Sequence, residues 1–158
     1  MAEKGRWVLL VYRIPREPST PRITVWRRLR QLGAVQLGDG LVALPFDDDT
    51  REQLDWLAQL IEDASGEAGV WLAEPTTARQ QRELRARMTA AAAADYRTVI
   101  AAAAAARRGD PAKRRRTVLR LRRTLDRIKA RDFFPPPERR EAEQAVADLA
   151  ADLVEAGR

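Results

Sequence analysis

Three arginines in the stretch YRIPREPSTPR are spaced to hold an anion: Arg13, Arg16 and Arg22. Guanidinium forks suit a tetrahedral dianion such as chromate, sulfate or phosphate, and a helix N-terminus adds N–H donors of its own. The proline-rich run IPREPSTP cannot be regular, and Thr20 followed by Pro21 reads as a helix start. The expectation is one oxyanion-binding site where the three arginines meet that helix. The competing reading pairs them with Glu17 and nearby acids, an arrangement that often contributes little.

A second group is larger. Residues 107–131 carry 12 basic and 2 acidic side chains, whereas residues 1–73 carry 9 basic and 11 acidic. Lys113, Arg114, Arg115, Arg116, Arg120, Arg123 and Arg127 are the expected DNA-binding residues, with Arg122 among them in sequence. Lys113 and Arg114 fall in the first turns of a helix, where the dipole disfavours cations by ~0.3–1 kcal/mol each. Docked phosphates would cancel both the arginine and the dipole charge. The bland competitor is pairing with Glu141, Glu143, Asp148 and Asp152. A related alternative is a helical adaptor whose basic helix packs on an acidic protein partner.

Other chemistry is thinly supplied. The chain has no cysteine and no histidine. That removes thiol nucleophiles, thiolate metal sites and the commonest general base. No flavin-binding motif is recognisable, no cofactor is expected, and the chain reads as a non-enzyme. Asp47, Asp48 and Asp49 lack the alternating spacing of a metal loop and read as a capped helix N-terminus. Phe133 and Phe134, before three prolines, read as a hydrophobic clasp between helices. Trp7, Trp26, Trp56 and Trp71 read as core or interface aromatics, at least two of them largely buried. Arg27, Arg28 and Arg30 read as a solvated face.

The elements that must position these residues follow from patterning. RWVLLVYR, residues 6–13, is a buried strand. Ile23, Trp26, Leu29 and Leu32 recur at helical spacing over 21–32, and Gly33 ends that helix. Runs 34–37 and 41–45 flank a Gly-Asp-Gly turn as a hairpin. A helix over 50–64 buries Leu54, Leu57, Ile61 and Ala64 and closes at Ser65-Gly66; 69–73 is a fourth strand. The order β-α-β-β-α-β is the ferredoxin-like arrangement of an antiparallel sheet with two helices on one face. The predicted class is therefore α+β: a ferredoxin-like domain over 1–73, then an all-α three-helix extension over 74–158. The first extension helix, to about Arg108, carries a near-heptad seam of Leu84, Met88, Ala91, Asp95, Val99 and Ala102. The second, 111–130, has Val118, Leu121, Leu125 and Ile128 in an a/d line. The third, 138–156, turns Ala142, Ala145, Leu149 and Leu153 inward. No apolar run approaches the ~18 residues of a membrane span. The opening MAEKGRWVLL reads as a strand and not as a signal peptide, so a cytoplasmic location is expected.

Three blocks carry a family resemblance: LLVYRIPREPSTPRITVWRRLRQLGAVQLGDGLVALP at 9–45, TREQLDWLAQLIEDASGEAGVWLA at 50–73 and LRRTLDRIKARDFFPPP at 121–137. They resemble the N-terminal domain of the ChrB family of chromate-resistance proteins. The resemblance implies a cytoplasmic bacterial regulator of chromate efflux that binds DNA and responds to chromate. A homodimer is expected. Longer family members carry a second domain; if chromate is sensed through that domain, this chain is expected to bind DNA without sensing or to need a separately encoded partner. A more distant resemblance is to the C-terminal region of PaaX-type repressors and to the ferredoxin-like nuclease subunit of CRISPR adaptation. Those groups end the first strand on a carboxylate, as in VYDIP. Here VYRIP places Arg13 there, a cation that would repel a divalent metal. A divergent metal-dependent nuclease using Asp39 or Asp47–Asp49 remains the alternative from another class.

Overall fold

The computed structural model describes residues 5–157. The elements run β1 (Trp7–Arg13), α1 (Ser19–Leu32), β2 (Val35–Gly38), β3 (Leu41–Pro45), α2 (Asp48–Asp63), β4 (Glu67–Ala73), α3 (Ala78–Ala106), α4 (Pro111–Ala130) and α5 (Glu138–Ala156). Two compact units result, Met1–Arg85 and Ala86–Arg158, with the boundary inside α3.

In the first unit the sheet order is β2-β3-β1-β4, and every neighbouring pair is antiparallel. This is the ferredoxin-like topology. Side chains alternate across β1: Val8 and Leu10 are fully buried, whereas Val11 is 46% exposed. Val42 and Leu44 of β3, Val25 and Leu29 of α1, and Leu54, Leu57 and Ile61 of α2 complete the core. Gly33 ends α1 in a left-handed conformation, as glycine does most readily. Gly40 closes the hairpin with a positive φ, and a Cβ there would strike the Tyr12 carbonyl oxygen.

Two features of this unit differ from expectation. Helix α1 begins at Ser19, with Pro18 at the N-cap, and not at Pro21 behind a Thr20 cap. Pro21 is tolerated two positions deeper, as the third helical residue, because the first-turn N–H groups lack intrahelical partners anyway. The N-terminus of α1 accordingly has no side-chain cap and no acid in its first turn. The tryptophans differ more. Trp7 alone is buried, its Nε1 donating to Gln81 Oε1 at 2.7 Å. Trp26, Trp56 and Trp71 are 59%, 54% and 63% exposed. A two-layer core of aliphatic side chains leaves no volume for three further indoles.

The second unit buries Ala92, Tyr96, Val99 and Ala103 of α3 with Val118, Leu121, Leu125 and Ile128 of α4 and Ala142, Val146 and Leu149 of α5. The α4 line is the expected one. On α5, Ala145 and Leu153 are only partly buried, and Val146 takes a core position. On α3 the seam shifts by one residue: Ala92, Tyr96 and Ala103 are inside in place of Ala91, Asp95 and Ala102. Alanine tracts give a pattern little phase. A tyrosine with a hydroxyl partner is cheaper to bury than a carboxylate. Asp95 instead takes a hydrogen bond from Arg131 Nη2 at 3.0 Å.

Candidate nucleic-acid interface and anion groove

Helix α4 starts on Asp110, whose side chain accepts from the Lys113 backbone N–H at 2.9 Å, with Pro111 in the first turn. That backbone hydrogen bond, then the nearby Lys113 charge, holds the Asp110 carboxyl below its ordinary value. No acid lies in the first turn beyond the cap, so Asp110 is the one carboxylate set against the Lys113 and Arg114 charges at the positive end of the dipole.

With Val118, Leu121, Leu125 and Ile128 buried, a helical period of 3.6 fixes where the cations go. Arg116, Arg120, Arg123 and Arg127 recur at i, i+4, i+7 and i+11 on the opposite side, and all four are exposed. At 1.5 Å per residue the stripe is about 16 Å long. Arg115 and Arg122 are exposed on one flank, and Lys113 is exposed in the first turn. Arg114 is different. It falls on the core-facing side, half-buried, and its Nε is buried without a hydrogen-bond partner.

Four acids of α5, Glu138, Glu143, Asp148 and Asp152, have partners outside the stripe. Glu143 meets Lys129 Nζ at 3.0 Å and Arg139 Nε at 3.3 Å. Asp152 pairs with Arg107 at 3.1 Å, and Asp148 accepts from Gln144 at 2.8 Å. Glu138 pairs with Arg97 at 3.2 Å. Among the described residues, no salt bridge reaches Lys113, Arg115, Arg116, Arg120, Arg122, Arg123 or Arg127. Among the described residues, the one side-chain hydrogen bond donated by the group is from Arg127 Nε to the Arg123 carbonyl at 3.4 Å.

The first unit holds an open groove of about 1230 Å³ where β1 ends and α1 begins. Arg13, Arg16 and Arg22 all line it. Arg13 is the last residue of β1, Arg16 lies in the following loop, and Arg22 is in the first turns of α1. All three are exposed and, among the described residues, none has an ion-pair partner. Ser19, at the uncapped start of α1, lines the same groove. Tyr12 is half-buried there; burial pushes its hydroxyl pKa up, against the opposing field of Arg22.

The groove also contains residues that patterning did not assign to it: Trp26, Trp71, Asp39 and Glu67. Register was the missing signal for β4. Glu67 lies opposite Arg13 and Gly69 opposite Val11, which brings Trp71 to the same face. The Trp71 indole leans over Gly69, close enough that a Cβ there would come within 3.1 Å of its Nε1. Of the solvated-face arginines, Arg28 donates to Gln53 at 2.7 Å and Arg30 stacks over Trp26 at 5.0 Å. Neither they nor Arg27 line the groove.

Asp47, Asp48 and Asp49 lie at the N-terminus of α2, with Asp47 its N-cap. Asp47 Oδ1 accepts from the Thr50 N–H at 2.7 Å, and the Thr50 hydroxyl accepts from the Asp47 N–H at 2.9 Å, a capping box for α2. Among the described residues, no three metal-ligating side chains gather. Phe133 and Phe134 are half-buried at the α4–α5 turn, where the Phe134 carbonyl accepts from Thr89 Oγ1 at 3.1 Å.

Residues 22–108 match the family described as "Protein ChrB, N-terminal". The chain belongs to the ChrB family. It is 33% identical over 152 residues to Protein ChrB of Cupriavidus metallidurans, a match covering 93% of this chain and 46% of that relative. The chain thus spans about half the length of the ChrB protein it matches. The family match ends before α4, while the similarity to the Cupriavidus ChrB takes in most of the chain. Among the described residues, no helix is long and apolar enough to cross a membrane.

Proposed function

We propose that this ChrB-family chain is a non-catalytic, cytoplasmic regulator in chromate resistance that binds DNA through α4. The supporting observation is the outward arginine stripe Arg116–Arg120–Arg123–Arg127, free of salt bridges among the described residues while Glu138, Glu143 and Asp152 of α5 pair with other cations. Arginines kept unpaired on a helix surface repel one another. Phosphates compensate that repulsion, and most protein–DNA hydrogen bonds go to phosphate and sugar. Lys113, Arg115 and Arg122 extend the surface. Arg114 contributes charge and not a free side chain, because it lies against the core.

The groove at Arg13, Arg16 and Arg22 is the proposed oxyanion site, through which chromate or a related anion modulates DNA binding. The regulator acts as a homodimer, as DNA readers with symmetric sites commonly do. Anisotropy of a labelled duplex is the direct test. Binding should weaken steeply with salt and should weaken again on Arg116→Ala, Arg120→Ala and Arg123→Ala together. The duplex should remain intact in magnesium or manganese. Salt-independent binding, or metal-dependent cleavage lost on Asp47→Ala, would overturn the reading.

A further inference from the structure

The groove of the first unit is built for more than a bare oxyanion. Its volume of about 1230 Å³ exceeds that of ordinary small-molecule pockets, ~300–1,000 Å³, and a tetrahedral anion would fill one corner. Its lining is also of mixed character. Arg13, Arg16 and Arg22 supply the cations, but Asp39 and Glu67 share the walls. Two carboxylates repel a second anionic group, and they accept hydrogen bonds from hydroxyls and amines. Trp26 and Trp71 add planar apolar surface that stays about 60% exposed, beside Val11 and Ile23 of the same lining, which are also about half exposed. A small domain gains by burying an indole, so two left open in one groove are surfaces awaiting a partner.

We infer that this groove binds a mononucleotide, with the phosphate on Arg13, Arg16 and Arg22 and the base against the exposed indole of Trp71 or Trp26. The assignment rests on the reading of those arginines as an anion site. Guanidiniums and the uncapped N-terminus of α1 hold the single phosphate. Asp39 and Glu67 accept from the ribose hydroxyls or an exocyclic amine. They also disfavour a continuous phosphate chain, which separates this ligand from a nucleic-acid strand. Trp71, leaning over Gly69 on the open sheet face, offers the flatter platform; Trp26 already carries Arg30 on its ring. Tyr12, kept protonated, provides a neutral hydroxyl donor beside Arg22.

Calorimetry on the full chain with four probes tests this: adenosine 5′-monophosphate, ribose 5-phosphate, inorganic phosphate and adenosine. Stacking of one base on an aromatic side chain should make the nucleotide bind roughly tenfold or more tighter than ribose 5-phosphate. Trp71→Ala or Trp26→Ala should erase that difference and leave ribose 5-phosphate binding unchanged. Arg22→Ala should weaken every phosphate ligand, while Arg116→Ala/Arg120→Ala/Arg123→Ala should weaken none. Equal affinity for nucleotide and ribose phosphate in the unaltered chain overturns the nucleotide assignment and leaves the anion site standing. Failure of every phosphate probe to bind removes both.

Discussion

The Tyr96 hydroxyl donates to Asp132 Oδ2 at 2.7 Å, joining the middle of α3 to the residue just beyond the C-cap of α4. The Asp132 side chain is 1% exposed, with Arg139 Nη1 at 3.9 Å and Oδ1 without a hydrogen-bond partner. Burial, and then the bond to Asp132, push the Tyr96 pKa far up, which keeps the hydroxyl a donor to the carboxylate at neutral pH. Asp132 sits in the ARDFFP block that carried part of the family resemblance. Its physical task is to fix the end of the basic helix against its neighbours.

Tyr96→Phe keeps the ring in the core and removes the one short hydrogen bond to a buried carboxyl. A loss of about 1–3 kcal/mol is expected, measured as a lower urea midpoint with an unchanged slope. An unaltered midpoint would show that Arg139 or water takes over the oxygen. The DNA affinity of the folded variant should change little, because no stripe arginine is touched.

Ser65 has φ 66, a left-handed conformation normally given to glycine, while Gly66 beside it does not. Gly66 is needed for a different reason: a Cβ there would lie 2.5 Å from the Arg13 carbonyl oxygen and 2.7 Å from Ile61 Cγ2. Ser65→Gly should therefore stabilise the chain by about 0.5–1 kcal/mol, the left-handed cost of a Cβ less the added unfolded-state entropy. Gly66→Ala should destabilise it, by displacing the end of β1 that carries Arg13. Thermal melts of the two variants should move in opposite directions.

The acid limb of stability should depend on Glu143. Its hydrogen bond to Lys129, then that to Arg139, hold its pKa below the ordinary carboxylate value. A carboxyl depressed in the folded state contributes stability above its unfolded pKa and loses it as pH falls through the folded one. Glu143→Gln should thus be less stable than the parent at pH 7, with the gap closing as pH falls below the usual carboxylate range. Melting curves that stay parallel from pH 7 to pH 3 would assign the acid limb to other groups.

Legibility from sequence followed the strength of each pattern. The a/d line of α4 is dense in large aliphatics and is buried as read; β1, read as a buried strand, is a strand whose Val8 and Leu10 enter the core while Val11 is exposed on the other face. The α3 seam was written mostly in alanine, which packs equally well at adjacent phases, so Asp95 and Tyr96 exchanged roles. The Thr20-Pro21 start was a real local preference overridden by two extra helical residues, which left the N-terminus of α1 without a side-chain cap. Arg13, Arg16 and Arg22 were placed together because they are close in the chain. Trp71 and Glu67 came to the same groove through cross-strand register, which no local window contains. Arg114 shows the converse: within a run of like charges, only the helical phase separates a residue facing the core from those facing outward.

The stripe on α4 gives the sharpest quantitative expectation. Arg116, Arg120, Arg123 and Arg127 lie along one side, with Arg115, Arg122 and Lys113 beside them, and among the described residues no salt bridge reaches any of their side chains. A surface about 16 Å long is comparable to the ~12 Å width of the DNA major groove, so the stripe can meet several phosphates at once. If roughly five phosphates are neutralised, log K should fall against log salt with a slope near −4 to −5. Removing Arg116, Arg120 and Arg123 together should flatten the slope by up to about three and weaken binding alike on unrelated sequences, because phosphate contacts carry no base information. Arg114→Ala should behave otherwise. Its guanidinium is half-withdrawn toward the core, so its loss should appear in the melting temperature more than in the slope. Equal slopes for the triple variant and the parent would leave α4 as a packing element and return the search for the DNA-binding surface to the rest of the chain.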